Sequence, residues 1–272
     1  MNAPIGVALQ GIAGRMGQAL MQELTEQSGL RLLAGLEHAA HPWVGKTLAE
    51  VLPGFAEHVP VVSDIAALPE GVQVLIDFSQ PEVCLAGAAA LVQRRIALVS
   101  GTTGLSAEQH GLLRELGASI PVVWAANMSL GVNVLLATVK QVSRLLGEAY
   151  DLEILELHHR HKKDAPSGTA LALAAAALEP RGHAVSDAVV LRDAGLIGPR
   201  GGAAELGMAV LRGGAVAGEH TVFFLGAGER LELTHRASDR RAFAQGALRA
   251  AAWLAPQPPG FYAMQDVLGL KA

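Results

Sequence analysis

The chain has 272 residues, of which 51% are hydrophobic, so it can form one large domain or two smaller ones around an apolar core. Its 21 basic and 25 acidic residues give a net charge of −4, which lacks the basic footprint of a nucleic-acid-binding protein. Cys84 is the only cysteine, which excludes an intrachain disulfide and a thiolate metal cage.

The N-terminal stretch "MNAPIGVALQGIAGRMG" lacks the charged start and long apolar run of a signal peptide. The longest runs of low charge, such as "GTALALAAAALEP", are too short to span a bilayer. We therefore expect a cytoplasmic protein with no membrane partner.

Up to about residue 125, short apolar runs alternate with helical stretches. The runs predict strands at 5–11, 30–37, 72–79, 95–101 and 120–126, and the spacing predicts helices at 16–27, 82–93 and 106–116. "SAEQ" at 106–109 predicts a capping box for the third helix. Near-continuous apolar strands alternating with helices predict a Rossmann-type, doubly wound parallel sheet.

The organisation then changes to helix 130–147, strand 150–159, helix 167–178 and long alternating strands between residues 205 and 234. The glycine-rich turn at 226–228 predicts a hairpin between the last two strands. A helix at 238–254 and a short tail close the chain. We predict an α/β first domain at 1–129, an α+β domain with a mixed or antiparallel sheet at 130–240, and a C-terminal segment at 241–272 that packs back on the first domain.

The stretch "GIAGRMG" places Gly11, Gly14 and Gly17 directly after the first strand and at the start of the first helix. Glycines allow a tight turn there and a close approach to a pyrophosphate, which binds the helix N-terminal amides. Glu37 ends the second strand, where a ribose hydroxyl would be held. The pattern predicts a dinucleotide site, and a glycine turn without a ligand is the alternative.

Glu37 suits a free 2′-hydroxyl and disfavours a 2′-phosphate, while the adjacent His38 is a cation only part of the time near neutral pH. We therefore expect NADH preference or use of both NADH and NADPH. Two further loops, "SGTTG" at 100–104 and "AANMS" at 125–129, follow parallel strands and offer groups for a nicotinamide or ribose. Ordinary strand-to-helix loops are the alternative for both.

Polar chemistry is densest in "HHRHKKDAPSGTA", which begins at His158. A metal site is the least favoured interpretation. The histidines lack the spacing of known metal sites, and the positive charges of the interleaved lysines and arginine would repel a metal cation. Alternation along a strand would also send His159 and His161 to one face and His158 to the other. A solvated basic surface is a second interpretation.

A third interpretation is an anion clamp. Clustered cations suit a substrate with carboxylates, and the Pro-Ser-Gly-Thr turn predicts a helix N-terminus at Ser167 whose amides bind anions. Beside a nicotinamide site, a lysine or histidine here would supply the proton that accompanies a hydride. The expected partner is a small dicarboxylate.

Five stretches together resemble the bacterial 4-hydroxy-tetrahydrodipicolinate reductase (dihydrodipicolinate reductase) family of the diaminopimelate–lysine pathway. They are "GIAGRMG", "SGTTG", "AANMSLGVNV", "ELHHRHKKDAPSGTA" and "GEHTVFF…GERLELTHRASDR". The resemblance runs from residue 5 to the tail. It implies NAD(P)H-dependent reduction of the cyclic dicarboxylate with loss of water, no metal, and a homotetramer built through the sheet of a substrate-binding second domain.

The resemblance assigns catalysis to His158 and Lys162, with Lys162 as the proton donor. It places the substrate carboxylates at His159, Gly168 and Thr169, beside Ser167. The cofactor contacts that it implies, together with His38 from the argument above, are Gly11, Ile12, Ala13, Gly14, Arg15, Met16, Glu37, Gly101, Thr102, Thr103, Ala125, Ala126, Asn127 and Met128.

The chain departs from many relatives at His38, where an arginine commonly follows the ribose-binding acid. This departure puts NADPH preference in doubt. Two other functions stay open at this point: an NAD-dependent dehydrogenase of another small dicarboxylate or amino acid, and a nucleotide-sensing protein without turnover.

Overall fold

The structure is a computed structural model that describes residues 3–25, 29–55, 57–191, 198–202 and 204–270. The chain divides into two compact units, Met1–Leu130 with Phe243–Ala272, and Gly131–Ala242. Within the described residues, every helix is too short or too polar to cross a membrane.

The strands of the described chain are β1 Ile5–Gln10, β2 Leu30–Leu36, β3 Val61–Val62, β4 Val72–Asp77, β5 Ala97–Ser100, β6 Pro121–Trp124, β7 Asp151–His158, β8 Val189–Leu191, β9 Leu206–Arg212, β10 Gly218–Leu225, β11 Arg230–Ala237 and β12 Gly260–Tyr262. The α-helices are α1 Arg15–Leu24, α2 Leu48–Val51, α3 Pro81–Ala86, α4 Ala88–Arg94, α5 Ala107–Leu116, α6 Leu130–Leu146, α7 Gly168–Leu178, α8 Val185–Ala188, α9 Arg241–Leu254 and α10 Met264–Val267.

The first unit contains a parallel sheet with the strand order β12-β6-β5-β4-β1-β2-β3. Strand β1 lies between β2 and β4, so the direction in which successive strands are added reverses beside it. In doubly wound sheets, ligands bind outside the carboxyl ends of the strands at this reversal. The predicted Rossmann-type fold is confirmed.

Helices cover both faces of this sheet. Residues such as Val7 and Ile76 pack on one face against apolar residues of α1 and α9, and Leu75 and Leu98 pack on the other against α4 and α5. Because both faces are buried, the central strands are apolar at nearly every position, which explains the absence of alternation in the sequence. The predicted capping box of α5 is present, with Ser106 Oγ accepting from the Gln109 amide at 3.2 Å.

The structure corrects several predicted elements of the first unit. The single helix predicted at 82–93 is wrong: it is two helices, α3 and α4, which meet at Gly87. A side chain at Gly87 would overlap Ile65, so the glycine permits close packing at the break. The sequence also missed β3 and β12, which have only two and three residues. Part of the helix predicted at 16–27 lies outside the described residues.

The second unit is built on a mixed sheet with the order β11-β10-β7-β9-β8. Strands β7, β10 and β11 pair antiparallel, whereas β7, β9 and β8 pair parallel. The predicted hairpin joins β10 to β11, and α6 and α7 bury one face of the sheet against Leu152, Ile154 and Phe224. Strand β7 ends at His158, so the predicted alternation through His159 and His161 is wrong, since both lie beyond the strand.

Helix α9 begins at Arg241, three residues later than predicted, and approaches the loop after β6 at Gly246. A Cβ atom at Gly246 would overlap the carbonyl oxygen of Met128, which belongs to the predicted cofactor loop. Because backbone cannot yield as a flexible side chain can, only glycine allows this approach. The helix therefore fixes the height of the loop above the sheet.

We expect Gly246→Ala to lower the free energy of unfolding by roughly 2–3 kcal/mol or more, the cost of overpacking against rigid backbone. Gly111→Ala is a matched control in α5, because a Cβ atom there meets nothing within 4 Å. It should stabilise the chain by up to about 1 kcal/mol through helix propensity. Urea unfolding followed by circular dichroism measures both. Equal midpoints for Gly246→Ala and the unmodified chain would contradict the prediction.

Candidate active site

The glycine loop of the first unit connects β1 to α1 at the carboxyl edge of the sheet. Gly11 has a φ of +75°, a conformation that favours glycine, and the Gly14 amide donates to the Gly11 carbonyl oxygen at 3.0 Å. Gly14 is the N-cap of α1, and within the described residues no side chain caps this helix and its first turn contains no acidic residue. These N-terminal amides fit a pyrophosphate, with Arg15 exposed beside them.

Glu37, at the end of β2, contacts this loop: its Oε1 accepts from the Ala13 amide at 2.9 Å. The structure thus brings the predicted ribose acid and the glycine loop together. His38 is exposed, and its ring lies edge-on to that of His41, with 5.4 Å between centroids. The sequence interpretation did not consider His41, which places a second imidazole beside His38.

The loops that follow β4 and β5 are joined by Asp77, a fully buried carboxylate. Its side chain accepts from the Ser79 amide at 3.0 Å and from Thr102 Oγ1 at 2.8 Å, and its carbonyl oxygen accepts from the Gly101 amide at 2.9 Å. A side chain at Gly101 would overlap the Phe78 ring. The sequence interpretation missed Asp77 and its loop, although the same rule about carboxyl ends of strands applied to them.

Cys84 lies beneath these loops, with its Sγ 3.4 Å from Ser100 Oγ. Burial, reinforced by the charge of Asp77, raises the pKa of the Cys84 thiol. A thiol in this state is protonated at neutral pH and is therefore a poor nucleophile.

The predicted cofactor residues differ in what they can offer a ligand. Ile12, Thr102 and Met128 are buried, so none of them offers an exposed side chain to a ligand. The remaining members are at least partly exposed, namely Gly11, Ala13, Gly14, Arg15, Met16, Glu37, His38, Gly101, Thr103, Ala125, Ala126 and Asn127. A helix N-terminus, a carboxylate beside it and partly exposed loops at the strand reversal fit a dinucleotide.

His158, the last residue of β7, opens the polar constellation of the second unit. Its Nδ1 hydrogen-bonds Glu156 Oε2, and both side chains are buried. Residues 156 and 158 share a face because side chains alternate along a strand. The Nε2 edge of the ring lies beside Gly218, where a Cβ atom would approach Nε2 to 3.0 Å.

Glu156 has a second set of partners. Arg212 donates to both of its oxygens at 2.9 Å, and the Ser167 amide donates to Oε1 at 3.0 Å. Arg212 also donates to the Asp164 carbonyl oxygen at 2.7 Å, which ties the loop between β7 and α7 to the sheet. The sequence interpretation missed Arg212, because it meets Glu156 only through the register that pairs β7 with β9.

The other predicted residues of this constellation lie around that loop. Lys162 Nζ is 2.9 Å from Asp164 Oδ2, and Lys162 retains 21% side-chain exposure. Ser167 is the N-cap of α7 and accepts from the Ala170 amide at 3.1 Å, so Gly168 and Thr169 form the first turn as predicted. The His159 amide donates to the Val216 carbonyl oxygen at 2.8 Å.

His220 on β10 completes the buried cluster and was also missed from sequence. Its Nε2 is 3.1 Å from Ser167 Oγ, and its ring lies edge-on to His158 with 5.0 Å between centroids. Glu156, His158 and His220 each place a ligand-type atom within 4.8 Å of the others. Arg212, however, occupies both Glu156 oxygens, and a guanidinium would repel a metal cation there. These contacts are those of a hydrogen-bonded cluster.

Burial sets the protonation of this cluster. It lowers the pKa of His158, and although Glu156 acts in the opposite direction, Lys162 and Arg212 lower the pKa further. Burial, with a contribution from His158, lowers the pKa of His220 to about 4. Burial alone would raise the pKa of Glu156, but the hydrogen bonds of Arg212 and His158 hold it below its usual range. Near pH 7 both imidazoles are therefore neutral and the carboxylate is ionised.

A doubly wound first unit with a dinucleotide-type glycine loop, followed by a mixed-sheet unit with an imidazole–ammonium constellation, is typical of two-domain nicotinamide-dependent oxidoreductases. Two family models narrow this class: "Dihydrodipicolinate reductase, N-terminus" matches residues 5–128, and "Dihydrodipicolinate reductase, C-terminus" matches residues 131–268. The chain belongs to the dihydrodipicolinate reductase family.

Curated relatives agree with this assignment. The chain is 45% identical over 265 residues to the 4-hydroxy-tetrahydrodipicolinate reductase of Anaeromyxobacter dehalogenans strain 2CP-1, covering 97% of this chain and 98% of that protein. It is also 45% identical over 267 residues to the reductase of the same name from Syntrophobacter fumaroxidans, covering 98% and 100%. The dipicolinate-bound dihydrodipicolinate reductase from Paenisporosarcina sp. TG-14 is similar in fold, with a TM-score of 0.73, 23% identity and coverage of 97% and 98%.

Proposed function

We propose that this chain reduces 4-hydroxy-tetrahydrodipicolinate to tetrahydrodipicolinate, with NADH or NADPH as the hydride donor and release of water, in diaminopimelate and lysine biosynthesis. The observation that carries the proposal is a buried cluster in which Glu156 contacts both His158 Nδ1 and the Ser167 amide at the N-terminus of α7, with Lys162 on the loop between them. Near-full-length identity of 45% to reductases of this name supports the substrate.

The chemistry requires one hydride and one proton to enter the substrate and one water to leave. Loss of water takes a hydroxyl and a proton from neighbouring ring carbons, and the hydride and a second proton take their places. The bound nicotinamide supplies the hydride. Neutral His158 can accept a proton at Nε2, since its Nδ1 faces Glu156, and the Lys162 ammonium can donate one.

The substrate's carboxylates need a cationic and amide-rich surface. His159, Ser167, Gly168 and Thr169 are the residues that we assign to them, because the first turn of α7 presents backbone amides and has no acidic residue among the described positions. In the first unit, residues 11–16, Glu37, His38, 101–103 and 125–128 are the ones that we assign to the dinucleotide.

We propose a homotetramer that forms through the second unit's sheet. Residues of one sheet face, including Leu155, Leu157 and Phe223, remain partly exposed, and Leu211 keeps 49% of its surface exposed. Apolar side chains on an exposed sheet face favour a second copy of the same surface, because paired sheets bury each other's apolar face.

The decisive experiment for the function follows NADH absorbance with freshly generated cyclic substrate. Absence of turnover with either dinucleotide would overturn the proposal, and turnover with a different dicarboxylate alone would assign the chain to another dehydrogenase activity.

Loss of the proposed proton donor should separate catalysis from cofactor binding. We expect Lys162→Ala to lower kcat by roughly 10²-fold or more, the usual contribution of a positioned general acid. NADH affinity should barely change, since Lys162 belongs to the second unit. Lys163→Ala is the control, because Lys163 is the exposed neighbour and should retain full activity. A near-normal kcat for Lys162→Ala would remove this residue from the mechanism.

Dinucleotide choice should depend on pH through His38. Histidine is the side chain whose charge ordinarily changes between pH 5 and 8, so a histidine is in general more often a cation at pH 6 than at pH 8. NADPH should therefore bind comparatively better at pH 6, and His38→Arg should raise NADPH affinity by about 1–2 kcal/mol, the scale of a charge-assisted hydrogen bond. Dissociation constants at both pH values measure this, with NADH as the internal control. Strong NADPH preference of the unmodified chain at pH 8 would show that another cation is responsible.

Light scattering tests the assembly. The unmodified chain should have the mass of four copies, and Leu211→Glu should lower that mass by placing charges in the apolar contact. Leu145→Glu is the matched control, since Leu145 is 75% exposed on α6 and away from the sheet face, and it should leave the mass unchanged. A monomeric unmodified chain at assay concentration would contradict the proposed tetramer.

A further inference from the structure

Glu156 is the most heavily used side chain in the second unit. It is fully buried, and its two oxygens receive hydrogen bonds from His158, from both terminal nitrogens of Arg212 and from the Ser167 amide. A buried carboxylate with this many donors is stable only in the ionised form, because each donor favours the charge. In the reaction proposed above, Glu156 exchanges no proton with the substrate and has no assigned role of its own.

We propose that Glu156 is the positioning residue of this reductase: its carboxylate fixes the proton of His158 on Nδ1 and ties the imidazole to the N-terminus of α7. The proposal rests on the proposed function for the reaction that His158 serves. The tautomer of His158, which the proposal specifies, can be measured in the protein without substrate.

The tautomer follows from which groups can donate. An ionised carboxylate only accepts hydrogen bonds, so the proton between Glu156 and His158 Nδ1 must belong to the imidazole. In a neutral ring, the lone pair is then on Nε2. Arg212 keeps Glu156 ionised by donating to both of its oxygens. Without Arg212, Glu156 could become protonated and donate to Nδ1, and the lone pair of the His158 ring would then be on Nδ1 instead of Nε2.

The position of the Nε2 edge is fixed as well. This edge lies against Gly218, where the smallest side chain would bring a Cβ atom to 3.0 Å from Nε2 and 3.3 Å from Cδ2. The backbone around the ring is held on both sides, since the Gly213 amide donates to the His158 carbonyl oxygen and the His159 amide donates to that of Val216. The imidazole therefore has one orientation with Nδ1 inward.

The same carboxylate organises the proposed acid and clamp. Ser167, which caps α7, is attached to Glu156 directly, and Asp164 is attached through Arg212. Asp164 in turn pairs with Lys162. The proposed base His158, the proposed acid Lys162 and the N-terminus of α7 are thus all positioned by contacts that lead back to the Glu156 carboxylate. Such an arrangement keeps catalytic groups within the narrow range of positions that a reaction requires.

The groups that face His158 come from four elements: Glu156 on β7, Arg212 on β9, His220 on β10 and Lys162 on the following loop. Glu156 raises the pKa of His158, whereas Lys162 and Arg212 lower it. His220 stays neutral and adds no charge near pH 7. Removal of the Glu156 charge should therefore lower the pKa of His158 further.

The test uses Glu156→Gln in the intact chain with three measurements. First, long-range proton–nitrogen NMR of histidine-labelled protein, with His158→Gln for assignment, should show the Nδ1–H tautomer in the unmodified chain and its loss in Glu156→Gln. Second, kcat should fall by roughly 10²-fold or more, as when a histidine base loses the acceptor that fixes its tautomer. Third, the acidic limb of kcat/KM should move to lower pH, because His158 then protonates only at lower pH.

Two further variants keep the outcome interpretable. Glu179→Gln removes a carboxylate from an exposed pair with Lys140 and should leave all three measurements unchanged. If Glu156→Gln leaves Arg212 unpaired and fails to fold, the double variant Glu156→Gln, Arg212→Gln removes both charges. It should fold, yet still lose the Nδ1–H tautomer of His158 and show the low kcat.

An unchanged tautomer together with an unchanged acidic limb, in a folded variant of either kind, would overturn the proposal and leave Glu156 a purely structural residue. Failure of the proposed function has a different signature: the unmodified chain would then show no turnover of the cyclic substrate, while the NMR measurement would still report on the Glu156–His158 pair.

Discussion

Backbone hydrogen bonding between neighbouring strands decides which side chains meet in both units. In the first unit the strands are parallel, so their carboxyl ends share one edge, and the loops after β1, β2, β4, β5 and β6 gather there. In the second unit the register pairs His158 with Arg212 and Glu156 with His220 across adjacent strands. A shift of one residue would send each of these side chains to the opposite face of the sheet.

This dependence explains what the sequence could and could not predict. Apolar runs, glycine spacing and the Ser106 cap are local features, and they predicted the central strands, the glycine loop and the start of α5. The contact between Glu156 and His158 could also have been predicted from the sequence, since residues two apart share a face of a strand. Arg212 and His220 are more than fifty residues from Glu156 along the chain, and their meeting depends on a strand register that no local pattern encodes.

Short edge elements were missed for a different reason. Strands of two or three residues, such as β3 and β12, carry too few positions for any periodicity to appear. Their pairing depends on the neighbouring strand, which supplies the hydrogen bonds. The break between α3 and α4 has a similar origin, because Gly87 is compatible with a continuous helix and only the proximity of Ile65 gives it a packing role.

Both units use a buried carboxylate to join chain segments that are distant in sequence. Asp77 holds the loops after β4 and β5 together through hydroxyl and amide donors, and Glu156 does the same for β7, β9 and the start of α7. Their donors differ in kind. The donors named above for Asp77 are neutral, whereas Glu156 also has a guanidinium, so between these two carboxylates the charge is compensated at Glu156, beside the His158 imidazole.

The burial of Cys84 has a practical consequence. Because the chain's only native thiol is buried beside the loops after β4 and β5 and its pKa is raised, alkylating reagents and maleimide dyes should not react with it under native conditions. A cysteine introduced at any exposed position would then be the single reactive thiol in each copy. The unmodified background is thus already suited to attaching one spectroscopic probe per chain, without first replacing the native residue.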